Sequence, residues 1–411
     1  MKDLALLILV LVFSVQISAQ NKTAKALFLG NSYTGVNSLP SLTSQIASSA
    51  GDSLIFDSNT PGGYTLEEHS TNTTSLSKIA LGDWDFVILQ EQSQRPSFTD
   101  AEVIADVFPY ARKLDSLINI NNPCAETMFY MTWGRKNGDA SNCAVWPPVC
   151  TYEGMDSLLY LRYMMMTFDN DAAVSPVGAV WHYIRDNYPA IELYSVDESH
   201  PSQAGSYAAA CCFYTAMFRS TPLNITYDYT LSASDASDIR TAVKVVVFDS
   251  LAKWNIGTMD PSADFSFVED LNNEVHFTNL STWARSWDWN FGDGNSSDLE
   301  NPSHTYAAPG AYTVTLTAGC LYNDSIQKTV NPIVGVDEFS DENYSVFPNP
   351  ANNKIIISAN VGSIVELHSF DGKRVQRFEM TESETEISVK GLETGLYLVK
   401  VDSHCTKLFI E

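Results

Sequence analysis

A serine, an aspartate and a histidine can break an ester together when the serine hydroxyl is exposed, an imidazole takes its proton and a carboxylate orients the imidazole. The stretch "LFLGNSYTG", residues 27–35, places Ser32 just after an apolar run that ends on Gly30, with Asn31 between them. Two readings of this serine stand open: a cap for the helix that follows, or a nucleophile held at the carboxyl edge of a sheet. Far downstream, "SVDESHPSQAG" offers Asp197 and His200 in a loop before an apolar helical stretch. A short turn with that spacing aims a carboxylate at one imidazole nitrogen and leaves the other facing a serine. His69 in "LEEHS" is a rival base, but its neighbours Glu67 and Glu68 read as a solvated helix start, so His200 is preferred.

The elements that would position these groups are legible as alternation. From Thr23 to about Asn255, short apolar runs ("KALFLG", "SLIFDS", "DFVILQ", "TMFYMTW", "AAVSPVG") alternate with longer amphipathic ones such as "DAEVIADVFPYARKLDSLI" and "MDSLLYLRYMMMTF". Continuous apolar runs suit strands covered on both faces, with helices as right-handed crossovers. The expected fold is a doubly wound α/β domain, in which ligands sit outside the carboxyl ends of the strands, where Ser32 falls. Trp133 and Arg135 follow the fourth strand in "MTWGRKNGD" and are expected at the same rim, an aromatic and a guanidinium suited to a sugar face or an acidic group. The run from Tyr163 to Met166 reads as packing rather than as a cofactor box.

The chain has 411 residues, more than one core usually supports, so two or three domains are expected. With 49 acidic and 24 basic residues the net charge is -25, which repels phosphate backbones and excludes nucleic acid as a natural partner. The amino terminus, "MKDLALLILVLVFSVQISAQ", has a basic residue at Lys2, an apolar core and a small-residue site at Ala19, the pattern of a signal peptide over 1–19. That core is short of the roughly 20 residues a membrane span needs. No later stretch qualifies either, so no transmembrane segment is expected. Export permits disulfides, and of the seven cysteines Cys143 and Cys150 bracket a Pro-rich loop suited to a bridge. No cysteine pair has a histidine at zinc-ligand spacing, and no metal is expected.

The α/β region resembles the SGNH (GDSL-type) hydrolases through "LGNS" at residues 29–32 and "DESH" at 197–200. The resemblance implies a flavodoxin-like three-layer α/β/α fold, with Ser32 as nucleophile, His200 as general base, Asp197 orienting it, and no cofactor. It also implies oxyanion donors: the Ser32 amide, a glycine after the second strand and an asparagine after the third. The glycine is shared between Gly62 and Gly63 in "NTPGGYTLEEHS". The third strand ends "DFVILQEQSQRP", so the asparagine is absent, and Gln92 takes its place, or Gln90 if the register slips. Asn31 stands where the family has an aspartate that orders the turn. The region is similar to a bacterial subgroup of that family with "GNS" and "LQEQS" in these places.

Beyond Ile256 the pattern turns all-β. "WDWNFGDG", "NPSHTY" and "PGAYTVTL" resemble the PKD domain, an immunoglobulin-like sandwich in which Trp287 and Trp289 share a strand face and Tyr312, Val314 and Leu316 point inward. Asp288 and Asp293 read as turn residues rather than calcium ligands. The final segment, "YSVFPNPANNKIIISA" to "TKLFIE", resembles the carboxy-terminal sorting domain of type IX secretion, with "FDGKRV" as an Asp-Gly hairpin. The expected organisation is a signal peptide at 1–19, a hydrolase domain at 20–257, a PKD domain at 261–333 and a sorting domain at 334–411, these last two being small all-β sandwiches. The expected function is a secreted or surface serine esterase, handled by the type IX machinery, that removes acyl groups such as acetyl from carbohydrates. The alternatives are a lipid-type esterase with the same triad, and an inactive glycan-binding or adhesive protein.

Overall fold

The computed structural model describes residues 21–270, 273–332 and 344–411. The expected signal peptide and the expected junction at 333–334 lie outside them. The described chain gathers into two compact units, one formed by residues up to 267 with 277–302 and 312–329, the other by 268–276, 303–311 and the chain from 330 onward.

The α/β domain of the first unit is built on β1 (Thr23–Leu29), β2 (Ser53–Asn59), β3 (Phe86–Leu89), β4 (Glu126–Tyr130) and β5 (Ala173–Ser175). They form one sheet in the order β2-β1-β3-β4-β5, every pairing parallel, which is the flavodoxin order. β3 is buried along its whole length, as its apolar run requires. β2 differs from the expectation of a strand covered on both faces: it lies at the sheet edge with Ile55 and Phe56 exposed.

Between the strands come α1 (Ser32–Gly35), α2 (Leu39–Ser49), α3 (Leu66–His69), α4 (Thr73–Ile79), α5 (Asp100–Asp106), α6 (Phe108–Asn121), α7 (Tyr152–Asp169), α8 (Val177–Asn187), α9 (Gln203–Phe218) and α10 (Ala233–Val246). One group of helices has α9 packed on α2, α8 and α10, and the other has α6 packed on α3, α4, α5 and α7. α9 is apolar nearly all round and buried from Ala204 to Phe218, as a helix without a polar face must be. Side-chain caps start most of the helices: Thr65 and Thr99 form capping boxes with Glu68 and Glu102, and Thr151 and Ser202 cap α7 and α9. Tyr163 and Met166 are packed in the core as expected, though Met165 is exposed.

The following β region comprises β6 (Phe265–Glu269), β7 (Glu274–Asn279), β8 (Ser286–Asn290), β9 (Ser296–Ser297), β10 (Ser303–Thr305), β11 (Tyr312–Gly319) and β12 (Asn323–Val330), in sheets ordered β10-β7-β6 and β12-β11-β8-β9. Trp289, Val314 and Leu316 are fully buried, and the Trp289 ring lies 5.1 Å from Phe265 and 5.2 Å from Phe277. Trp287, on the same strand face, is half-buried. Asp293 accepts from the amide of Asn295 at 3.0 Å, the bond of a turn aspartate.

The second unit ends in β13 (Ser345–Phe347), β14 (Lys354–Ser358), β15 (Ile364–Ser369), β16 (Arg374–Glu379), β17 (Glu384–Ser388), β18 (Gly395–Val401) and β19 (His404–Ile410). Their sheets run β13-β14-β17 and β16-β15-β18-β19 around a core that includes Ile355, Ile357, Val365 and Leu408. The expected Asp-Gly turn joins β15 to β16, with Gly372 at a left-handed φ of +82°.

Cys143 and Cys150 are bridged as expected, and a second disulfide not foreseen from sequence joins Cys124, ahead of β4, to Cys320, after β11. The latter spans 196 residues against 7 for the former, so it restricts far more of the unfolded ensemble. The double substitution Cys124→Ala with Cys320→Ala is expected to cost about 2–4 kcal/mol. Cys143→Ala with Cys150→Ala is expected to cost less. Urea unfolding followed by tryptophan fluorescence compares the two.

Candidate active site

The strand register sets the stage. Leu29 stands level with Asn59 and Leu89, and Leu89 with Phe129, so the segments holding Ser32, Gly62, Gln90 and Trp133 all leave the same edge of the sheet. At Gly30 a side chain is excluded: a Cβ would lie 2.4 Å from Thr34 Oγ1 and 2.7 Å from Gln90 Oε1. Gln90 Oε1 accepts from the Asn31 amide at 3.1 Å and from the Thr34 hydroxyl at 2.8 Å, while its Nε2 donates to Asn31 Oδ1 at 2.8 Å and to the Glu91 carbonyl at 2.7 Å. Asn31 Oδ1 also accepts from the Tyr33 amide, and its Nδ2 donates to the Tyr64 carbonyl at 2.9 Å. The helix cap is therefore Asn31, not Ser32. That leaves the serine hydroxyl free for other partners.

Its partner is His200. Ser32 Oγ lies 2.8 Å from His200 Nε2, and His200 Nδ1 is hydrogen-bonded to Asp197 Oδ2. The other oxygen of Asp197 accepts from the backbone amides of Ser199 at 3.1 Å and His200 at 3.0 Å. Burial would raise the Asp197 carboxyl, but these bonds, led by the one from the His200 ring, outweigh it and hold the group below its ordinary range. A carboxylate fixed in this way holds the Nδ1–H tautomer and leaves Nε2 to take a proton from the serine.

The loop bearing the pair is pinned from several sides. The His200 carbonyl accepts from the Ser195 amide at 2.8 Å, and the Glu198 carbonyl from the Lys136 amide at 3.0 Å. Trp133 Nε1 donates to the Ser199 carbonyl at 3.1 Å, and the Tyr33 hydroxyl is hydrogen-bonded to Ser199 Oγ. Tyr33 and Ser199 were not singled out in the sequence. Their one signal is position, each being the immediate neighbour of a residue of the Ser-His pair.

The remaining expected residues fare unequally. Trp133 is a correction: it is fully buried, stacked between Tyr33 at 4.9 Å and Trp181 at 3.7 Å, and has no face to offer a ligand. Its chain passes the rim, but the ring turns into the core, where its area is worth more. Arg135 is tied to Asp139 at 3.2 Å, whose other oxygen accepts from Gln94 Nε2 at 2.6 Å. Gln90, the fallback donor, is also corrected, since both amide hydrogens are already donated and the side chain is fully buried. Gln92 is half-buried and donates one hydrogen to Gln94 Oε1 at 3.2 Å, which leaves its second one. Gly62 and Gly63 are exposed, Gly63 with a left-handed φ of +75°. Among the described residues no protein acceptor takes the amide hydrogens of Ser32, Gly62 or Gly63. His69, the rival base, is sealed in the core between Ser75 Oγ at 2.7 Å and the Gly30 carbonyl at 2.9 Å. Burial lowers its pKa against the hydrogen bond to Gly30, so the ring stays neutral and holds the turn.

The flavodoxin-order parallel sheet, the serine turn after its first strand and the aspartate–histidine turn before α9 are the arrangement that the resemblance to SGNH hydrolases implies. Sequence comparison adds two modules: the PKD domain matches residues 260–328, and the secretion system C-terminal sorting domain matches residues 345–410. The latter marks the chain for secretion to the cell surface or the extracellular space. No helix among the described residues is long and apolar enough to cross a membrane. Collagenase ColA of Bacillus cereus is 33% identical over 79 residues, a match spanning 18% of this chain and 8% of the collagenase. Among solved structures, a DUF4886 family protein from Bacteroides uniformis is 16% identical, covering 56% of this chain and 95% of its own, with a TM-score of 0.47. The lipase/acylhydrolase from Enterococcus faecalis is 14% identical, covering 48% of this chain and 98% of its own, with a TM-score of 0.34.

Beside the site lies Glu91, an acidic residue directly after an apolar strand, a signal that sequence reading passed over. It is fully buried, accepting from the Gln92 amide at 2.6 Å and the Leu66 amide at 3.2 Å, and so ties β3 to α3. Burial pushes its pKa up to about 8, against the pull of those two amides. An unfolded glutamate loses its proton near the ordinary value of 4.5, so between there and about pH 8 the folded chain binds more protons. Stability therefore falls as pH rises through that window. Thermal unfolding at pH 5 and pH 8 should show a larger drop for the native chain than for Glu91→Gln.

Proposed function

We propose that the protein is a secreted serine esterase that deacylates carbohydrates. The reading assigns residues 20–257 to catalysis and treats 261–333 and 334–411 as accessory and sorting modules. The observation that carries it is the unbroken hydrogen-bonded run from Ser32 Oγ through the His200 ring to Asp197. In this mechanism His200 Nε2 takes the serine proton as Oγ attacks the ester carbonyl carbon. The tetrahedral oxyanion is met by the amide hydrogens of Ser32 and of Gly62 or Gly63, with the spare hydrogen of Gln92. Collapse expels the sugar alcohol, which takes its proton from His200. A water then attacks the acyl-serine with His200 again as base, releasing the carboxylic acid and restoring Ser32.

Support for a hydroxyl-rich alcohol comes from a cavity of about 500 Å³ that includes Gly63 and Gln92. Glu67, Glu68, Gln94 and Arg95 also line it, and Phe98 is its single apolar side chain. Such a wall offers partners to sugar hydroxyls and little to a long acyl chain, which favours a carbohydrate ester over a lipid.

Hydrolysis of a chromogenic acetate ester tests the chemistry. Ser32→Ala should lower turnover by about 10⁴- to 10⁶-fold and Asp197→Asn by about 10⁴-fold. Equal rates for the native chain and Ser32→Ala would leave a binding protein rather than an esterase. Removing one oxyanion donor typically costs about 10²- to 10³-fold, so Gln92→Ala should lose that much turnover while keeping its thermal midpoint. Gln90→Ala should instead lower the midpoint, because Asn31 and Thr34 lose buried partners.

A further inference from the structure

At the other end of the sheet, the α/β domain and the first sandwich enclose a cavity of about 600 Å³. It is lined by Glu126 and Ala173, the first residues of β4 and β5, and so lies at the edge opposite Ser32. The Cys124–Cys320 disulfide forms part of its wall. Arg219 pairs with Glu126 at 3.6 Å and with Asp260, and its guanidinium lies 3.8 Å over the ring of Tyr322. Tyr322 in turn donates to the Met217 carbonyl at 3.1 Å. Covalent, ionic and aromatic contacts thus hold the walls in place, and the space between them is a built feature.

Its rim carries features that packing does not account for. Trp283 has a left-handed φ of +58°, rare for a bulky side chain, and is 47% exposed. Strain of this kind collects where a surface is shaped to meet something. The lining mixes both signs of charge, with Arg112 paired to Asp169 at 3.2 Å and Asn119 and Arg285 nearby. Among the described residues no group of histidine, cysteine or carboxylate side chains is placed to hold a metal ion. A polyanion would meet the carboxylates and a polycation the guanidinium groups. A neutral chain of hydroxyls can use both as hydrogen-bond partners and lay its flat C–H face on an indole.

We propose that this cavity is a second, non-catalytic binding site for a neutral oligosaccharide, with Trp283 as its stacking platform. The site stands apart from the esterase reading, since it shares no residue with the serine edge and would bind whether or not Ser32 reacts.

The test uses the full chain carrying Ser32→Ala, titrated by calorimetry with neutral tetrasaccharides of β-linked xylose, glucose, mannose and N-acetylglucosamine. At least one should bind, with a change in tryptophan fluorescence. In the same background Trp283→Ala should weaken that binding about tenfold or more, the loss expected when one anchor contact goes. Trp283→Phe, which keeps a ring, should fall between the two. Gln92→Ala should leave the affinity unchanged, and Trp283→Ala in the Ser32 chain should leave acetate hydrolysis unchanged. No binding by any of the four sugars at millimolar concentration overturns the proposal. So does binding that survives both Trp283 variants, or that disappears with Gln92→Ala and therefore belongs to the serine cleft.

Discussion

The side-chain amide of Gln90 fills all its hydrogen-bonding capacity against the turn after β1: oxygen to the Asn31 amide and the Thr34 hydroxyl, nitrogen to Asn31 Oδ1 and to the Glu91 carbonyl. This contact needs Gly30, because any side chain there would strike Thr34 and Gln90. It needs an amide at 31, because Asn31 must accept from Gln90 and Tyr33 while donating to Tyr64. A carboxylate could accept those bonds but could not supply the one to Tyr64. The asparagine of the serine block and the glutamine of the third-strand block are therefore one device. It frees the hydroxyl of Ser32 from capping duty and fixes where that hydroxyl stands.

From that turn the order spreads through aromatic packing. Tyr33 stacks on Trp133, Trp133 on Trp181, and both Tyr33 and Trp133 hold Ser199, the residue before His200. Serine and imidazole, 168 positions apart in the chain, thus meet because a single buried stack touches both of their loops. On the other flank His69 and Glu91 hold the glycine segment to the strand ends from below, one through the Gly30 carbonyl and the other through the Leu66 amide. A cluster of buried polar groups this dense is stable only when its members are satisfied, and here each of them is anchored to backbone.

Much of this was legible in the residues. Continuous apolar runs announced the parallel sheet, and the spacing of Asp197 and His200 announced a turn that could orient an imidazole. The Pro-rich loop announced its own disulfide, and Trp289, Val314 and Leu316 announced the sandwich core. What stayed hidden depends on three-dimensional neighbours that sequence does not print. Trp133 looks the same in sequence whether its ring faces solvent or core, and only Tyr33 and Trp181 decide. Gln90 and Gln92 are alike in type and both lie past the end of β3, and only the path of the chain after the strand puts the first under the serine turn and leaves the second half-buried. The partner of Cys124 lies in another domain, beyond the reach of any local rule.

That inter-domain disulfide joins the chain at the base of β4, at the sheet edge away from Ser32. A pull applied through the carboxyl end reaches β12 and then the bridged turn at Cys320. From there it passes by a covalent link into a central strand. The covalent path therefore skips residues 125–319, the Asp197–His200 loop among them, so tension on the tail would enter the scaffold at β4 without first crossing that loop.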